Sequence, residues 1–419
     1  MNVCIVGSGA REHALALACA RTADVVVTPG NPGITGRSPQ GHTLRSTDEP
    51  AESIEADLVV VGPEAPLVDG LADRLRALGR LVFGPGADGA RLEGSKAYMK
   101  ELAASAGVPT ARFAVFDRLD EALAHLRRGS GPYVVKTDGL AAGKGVLVTD
   151  DLGRAEQDVE EKLSGLAFGP AGRRVVIEEA LPGREASLLA VCDGVRALAL
   201  PVAQDYKRAL DGDLGPNTGG MGACSPVPFV AEADADEAME RIVLPTLAEL
   251  RRRGIDYRGV LYAGLMLGED GPRLVEFNVR FGDPETEVVL PRVDGDVAEL
   301  LAAAAGGMVP DTVGLAPVAA VCVVAAAKGY PASPRGGDPI TGLEAAGAVA
   351  GVTVLHAGTR LDADGVLRTS GGRVLALTAT APTTDEARAR AYRAMGAIEI
   401  NGVQYRHDIA AFESVRSGA

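Results

Sequence analysis

A multidomain protein of mixed α/β and α+β class, opening on a parallel sheet, is what this sequence predicts, and three observations lead there. Short apolar runs alternate with helical patterns through the first hundred residues, as in a doubly wound parallel sheet. The middle of the chain then changes to strand–loop–strand units with polar residues at the strand ends. Gly/Pro joints at 107–109 and 306–310 punctuate 419 residues, a length that at roughly 100–200 residues per domain holds two to four cores. The expected division is 1–100, 101–188 with its linker, 189–317 and 318–419.

Composition narrows the function. The chain carries 42 Lys and Arg against 56 Asp and Glu, a net charge of −14, with 47% hydrophobic residues. That excludes disorder and a generic nucleic-acid binder, which carries a basic field. Anionic ligands would have to meet local, preorganised donors. Five widely spaced cysteines without a CxxC pair read as reduced core thiols of a cytoplasmic protein, and five scattered histidines argue against zinc. The most apolar stretch, 313–328, is broken by Gly314 and Pro317 and falls short of a membrane span of about 20 residues. The N-terminus lacks a signal-peptide pattern.

In chain order, strands are expected at 3–6, 25–28, 58–61 and 81–83, with helices at 11–21, 67–78 and 95–106. The turn Gly7-Ser8-Gly9-Ala10-Arg11 follows a strand and opens a helix, so it should bind an anion at the helix N-terminus. Glu12 stands where a dinucleotide fingerprint has its third glycine, which favours a monophosphate over NAD. Glu64, just after another strand of the same sheet, is a candidate for sugar hydroxyls.

In the second segment, strands at 133–136 and 145–149 flank a loop of small residues between Lys136 and Lys144. Small residues let backbone N–H groups close on phosphate oxygens, and the lysines supply point charges. The run 175–183 is a strand ending in Glu178 and Glu179; read locally it is a strand end, or a hinge offering backbone groups to an adenine edge, with Glu185 placed for a ribose. Residues 213–222, rich in Gly and Pro, form neither helix nor strand interior and look like a loop approaching a ligand. A helix is expected at 238–252, then strands at 260–267 and 273–278. Glu276, Asn278 and Arg280 alternate onto one face. A carboxylate and an amide oxygen two residues apart are hard ligands suited to Mg²⁺ carried by phosphates, and Arg280 can clamp a carboxylate or phosphoryl group. An internal ion pair is the alternative. The last segment has strands at 321–326 and 374–380 and a helix at 385–395.

Together these motifs resemble the phosphoribosylamine–glycine ligase family, also called glycinamide ribonucleotide synthetases, of the ATP-grasp superfamily. The resemblance is carried by GSGAREHA (7–14), PGN (29–31), GPEAPLVDG (62–70), LEGSKAYMK (92–100), KTDGLAAGKGV (136–146) and IEEALPGREAS (177–187). It continues through QDYKR (204–208), GPNTGGMGACSP (215–226), EFNVRFGDPETE (276–287), HAGT (356–359) and SGGRVL (370–375). It implies an N-terminal pre-ATP-grasp domain, a two-lobed ATP-grasp fold and a C-terminal α/β lobe. It also implies ATP-dependent joining of 5-phosphoribosylamine and glycine through glycyl phosphate, with Mg²⁺ or Mn²⁺, in de novo purine synthesis.

Residue by residue, the resemblance assigns ATP contacts to Lys96, Lys136, Gly143, Lys144, Gly145, Glu178, Glu179, Leu181 and Glu185, and metal ligation to Glu276 and Asn278. Substrate contacts fall on Gly9, Arg11, Asn31, Glu64, Asp213, Asn217, Thr218, Gly219, Arg280, Gly282, Asp283 and Arg373, with Arg280, Lys144 and Asp213 nearest the chemistry. The implied partners are these small molecules, with no nucleic acid and no membrane, and the chain acts as a monomer or else a dimer. Many superfamily members place a further acidic metal ligand on the preceding strand; residues 260–266 offer none here. The alternatives are another ribonucleotide-using ATP-grasp enzyme of purine synthesis, a carboxylase or formate-dependent transferase, and a catalytically silent nucleotide binder.

Overall fold

The computed structural model describes residues 1–141, 145–165 and 169–412, organised around four sheets. The first, six-stranded, runs Gly36–Arg37, Thr43–Ser46, Asp24–Pro29, Asn2–Gly7, Leu58–Val61, Val82–Phe83; all its pairings are parallel except at the Gly36–Arg37 edge. Its central strands are near-continuous Val/Ile/Leu runs because both faces are covered, with Ile5, Leu58 and Val60 fully buried. The carboxyl ends of its strands, at Gly7, Pro29 and Val61, open towards one rim, where ligands of parallel sheets bind.

The small antiparallel sheet Phe113–Phe116, Val175–Glu179, Tyr133–Thr137, Val146–Thr149 is backed by the helices Leu119–Leu126 and Leu152–Leu163 over a core including Val135, Val159 and Val175. A second antiparallel sheet orders Ala197–Ala199, Arg184–Asp193, Arg258–Gly268, Gly271–Asn278. The last sheet joins Gln204–Asp205 and Gly222–Ser225 to Ala319–Ala326, Arg373–Ala381 and Val352–His356. Residues from within 189–317 are therefore built into the sheet of the C-terminal strands.

Two helices depart from the sequence pattern, each for a backbone reason. The helix expected over 67–78 is two, Glu64–Val68 and Leu71–Ala77, because Gly70 takes a left-handed φ of 76° that ends the first. The helix expected at 238–252 begins at Glu232 and passes through a π turn, Met239–Val243, before Leu244–Arg252. Pro245 lacks the N–H that a regular turn would use there, and the widened turn accommodates it. All five cysteines are buried and unpaired. No helix among the described residues is long and apolar enough to cross a membrane.

Candidate active site

The site is assembled where the small lobe faces the strand Gly271–Asn278 and the rim of the N-terminal sheet. Lys96 opens the helix Lys96–Ser105, whose N-cap Ser95 accepts from the Tyr98 N–H. Asp138 fixes that helix end, accepting from Ser95 Oγ and the Ala97 N–H at 2.8 Å each, and its own carboxylate is held by Arg174. Lys96 Nζ donates to the Gly139 carbonyl at 3.2 Å. Burial lowers its pKa, with Glu276 working in the other direction and Lys136 in the same.

Lys136, in the strand Tyr133–Thr137, is buried with Nζ 3.3 Å from the Val275 carbonyl and 3.0 Å from Glu178 Oε1. Glu178 also holds Lys100, the last residue of the 92–100 motif and one given no role there, at 2.8 Å through Oε2. Gly145 packs its backbone against Thr137, where a Cβ would stand 2.4 Å from Thr137 Cγ2, and its carbonyl accepts the Thr137 N–H. Gly143 and Lys144 lie outside the described residues.

At the strand end the Glu179 N–H donates to the Arg112 carbonyl, but the Arg112 N–H goes to the Glu179 carboxylate at 3.0 Å. A regular ladder would return that bond to the Glu179 carbonyl, so the side chain takes the carbonyl's place at the hinge that leads to Leu181. Burial opposes the charge of Glu179, yet Arg112 and Arg273 hold its pKa down to about 2. Its carboxylate thus braces the hinge through Arg112 and Arg273. Glu185 is paired with Lys207, which also lies 3.4 Å from Asp205. Burial pushes Asp205 up to about 7 against the pull of Lys207, with Glu285 adding to the rise.

Glu276 and Asn278 share a face as the alternation requires. The strand stops at Asn278, but Arg280 stays on that side through Nη2 to Asn278 Oδ1 at 3.2 Å. Gly264 on the neighbouring strand leaves room there, since a Cβ would meet Glu276 Cγ at 3.2 Å. Two hard oxygen donors on one face of the strand suit a divalent ion held jointly with substrate phosphates, although Asn278 Oδ1 also accepts from Arg280. Among the described residues no three His, Cys, Asp or Glu side chains converge as a metal-holding group. Arg280 is also bound to Glu93 at 2.9 Å and Glu64 at 3.2 Å. It ties the N-terminal rim to the strand and is not a free clamp. Glu93 was another residue that the alternation could not reveal, although it lies in the 92–100 motif.

Several expected substrate contacts are otherwise engaged. The helix Ala10–Cys19 is capped by its own Glu12, which accepts the Gly9 N–H at 2.6 Å and Arg11 Nε at 2.5 Å. A carboxylate in the first turn answers the helix dipole, so the anion expected at this N-terminus is supplied by the protein. Asn31 spends both amide donors, on the Ser8 and His356 carbonyls at 3.0 and 2.9 Å. Asp213 does not join the cluster. Exposed on a turn, it pairs with buried Arg406 at 2.7 Å, a partner 193 residues away.

Thr218 accepts the Gly220 N–H and donates to the Lys207 carbonyl. Contrary to the irregular loop expected over 213–222, Leu214–Asn217 is a short strand paired with Arg208–Leu210, its Gly and Pro tolerated because the two-stranded ribbon is exposed. Arg373 reaches the Gly219 carbonyl at 2.6 Å, the Asp283 carbonyl at 2.9 Å and the Asp283 carboxylate at 3.0 Å. Gly282 leaves the space that Glu285 fills, 2.4 Å from where a Cβ would be. The 217–222 loop, Gly282, Asp283 and Arg373 therefore form one wall of the cleft.

A lysine opening a helix and a second on the small antiparallel sheet, facing a carboxylate–amide pair on the last strand of a second antiparallel sheet, define an enzyme of the ATP-grasp class. Family models for phosphoribosylglycinamide synthetase match its N domain over residues 1–93, its ATP-grasp (A) domain over 94–286 and its C domain over 320–412. The chain belongs to the phosphoribosylglycinamide synthetase family. It is 50% identical over 423 residues to a phosphoribosylamine–glycine ligase of Streptomyces coelicolor, covering 98% of this chain and 99% of the relative. The enzyme of that name from Escherichia coli is 47% identical over 421 residues, with 98% of each chain covered. A crystal structure of the Thermotoga maritima phosphoribosylamine–glycine ligase matches with a TM-score of 0.83 at 37% identity, covering 98% of this chain and 100% of that one.

Proposed function

We propose that this chain is an ATP-dependent ligase that joins 5-phosphoribosylamine and glycine into glycinamide ribonucleotide, ADP and phosphate, the second step of de novo purine synthesis. Full-length family membership supports the reaction. The single structural observation that carries it is the convergence of Lys96, Lys136, Glu276 and Asn278 across the two lobes. In this reading the glycine carboxylate attacks the γ-phosphorus of ATP, giving glycyl phosphate and ADP, and the amine of phosphoribosylamine then displaces phosphate. Phosphate leaves readily where a carboxylate oxygen does not.

The protein's part is positioning and charge stabilisation. Lys96 and Lys136 bind phosphate oxygens, joined by Lys144 and the backbone of Gly143 and Gly145. The hinge backbone reads the adenine edge; the resemblance puts this on Glu178 and Leu181, and the strand-end geometry favours the carbonyl of Glu179 over that of Glu178. Glu276 and Asn278 would hold Mg²⁺ or Mn²⁺, which when bound neutralises phosphate charge. Arg280 orients Asn278 and Glu64 beside the reacting groups. Gly9, Arg11, Glu64 and the Arg373–Asp283 wall surround the ribosylamine and the amino acid. We place the enzyme in the cytoplasm, acting as a monomer. The deciding assay is ADP release that needs both glycine and phosphoribosylamine. ADP formed without glycine, or with bicarbonate or formate in its place, rejects the ligase.

A further inference from the structure

Lys100 is a fully buried cation that the mechanism leaves unused. It sits one helical turn beyond Lys96 with Nζ 2.8 Å from both Glu178 Oε2 and Thr110 Oγ1. Thr110 in turn donates to the Leu274 carbonyl at 2.7 Å, which anchors the group to the strand that carries Glu276. The other oxygen of Glu178 faces Lys136 at 3.0 Å, an ion pair without hydrogen-bond alignment. One buried carboxylate thus serves two lysines, one on each oxygen.

We propose that Lys100 is a positioning residue that keeps Glu178 compensated, so that Lys136 can turn from Glu178 to the ATP phosphates. Breaking a buried ion pair by withdrawing one partner is costly because it strands the other charge. With Lys100 on the second oxygen, Glu178 stays paired when Lys136 leaves. Thr110 takes up a further N–H of the ammonium, which holds Lys100 where it is. The inference rests on the proposed role of Lys136 in phosphate binding.

The charged groups facing Lys100 are Glu178 on one strand, Lys136 on the next and Glu276 on the opposing sheet. Burial pulls Lys100 down to about 8, Glu178 opposing and Lys136 reinforcing the fall. Above that pH the ammonium is lost and Glu178 depends on Lys136 alone.

The test is calorimetric binding of a non-hydrolysable ATP analogue and of adenosine, between pH 6.5 and 9.5, to the full chain. Lys100→Met should weaken the analogue about tenfold or more at pH 7, leave adenosine unchanged, and remove the weakening that the unaltered protein shows as pH rises through about 8. Lys100→Arg, always charged, should keep tight binding and abolish that alkaline limb. The double variant Lys100→Met/Glu178→Gln should recover much of the lost affinity, since no carboxylate is left to strand. It also decides the matter if Lys100→Met alone does not fold. Equal loss of adenosine and analogue, or a double variant no better than the single, overturns the proposal. Because binding is read without turnover, a failed ligase assay would leave this test standing.

Discussion

Two buried polar seams hold this molecule together, and they are built on opposite principles. Between the N-terminal sheet and the C-terminal sheet, His13 Nδ1 accepts the His356 N–H at 3.0 Å, His356 Nδ1 meets Thr359 Oγ1 at 3.1 Å, and Asn31 bridges the two domains. Burial lowers His13 to about 3, helped by His356, and lowers His356 to about 4, so both rings are neutral at neutral pH. In the cleft, by contrast, Lys100, Lys136 and Glu178 are buried and Lys96 and Arg280 part-buried, and all keep compensating charges close by. A neutral seam offers an incoming ligand nothing to exchange. A charged one offers ion pairs that an anionic substrate can replace, so burial there stores binding capacity and not only cohesion.

The contrast can be broken from the charged side with the largest effect. Arg280→Met strands Glu64 and Glu93, and should cost about 3–5 kcal/mol in denaturant unfolding. Arg280→Lys keeps a point charge but loses the fork, so kcat should fall more than ATP affinity. A near-normal kcat would remove Arg280 from the chemistry.

Acid should act on the neutral seam. The folded imidazoles titrate well below their ordinary 6.5, so their contribution is present above pH 6.5 and is lost as pH falls towards 3. For the pair this amounts to about 2–3 kcal/mol by pH 5.5. A His13→Gln variant should show a flatter melting temperature across that range, and an unchanged slope would refute the linkage.

Gly33→Ala sharpens the same point sterically. Its Cβ would stand 2.4 Å from His356 Cδ2 and 2.7 Å from His13 Cε1. We expect a loss of about 1–2 kcal/mol with KM for ATP unaffected; a raised KM would mean that the seams are coupled. The smallest effect belongs to Asp213→Ala, which removes an exposed carboxylate from Arg406 while Asp408 remains, and should cost under about 1 kcal/mol. A tenfold fall in kcat would return Asp213 to the reaction.

Much of the fold was legible because it is locally periodic. The Val-rich runs near residues 3, 25 and 58 became neighbouring parallel strands, and the alternation at Glu276 and Asn278 did place both on one face of the strand Gly271–Asn278. What was not legible was the company these residues keep. Glu12 looked like a departure from a fingerprint and is instead the cap of its own helix. Asn31 looked like a ligand contact and is a clamp on a carbonyl 325 residues away. Lys100 and Glu93 lay inside a recognised motif with nothing local to mark them, their partners being Glu178 and Arg280.

The sequence by itself therefore determined the strand and helix periodicities and the inventory of charged and amide side chains from which a site could be built. Those follow from dihedral preferences and side-chain chemistry, which act over a few residues. Tertiary structure alone decided which charges are spent on one another and which stay available. That choice depends on contacts between segments far apart in the chain, and on burial, which neutralised the histidine seam and left the lysine cleft charged.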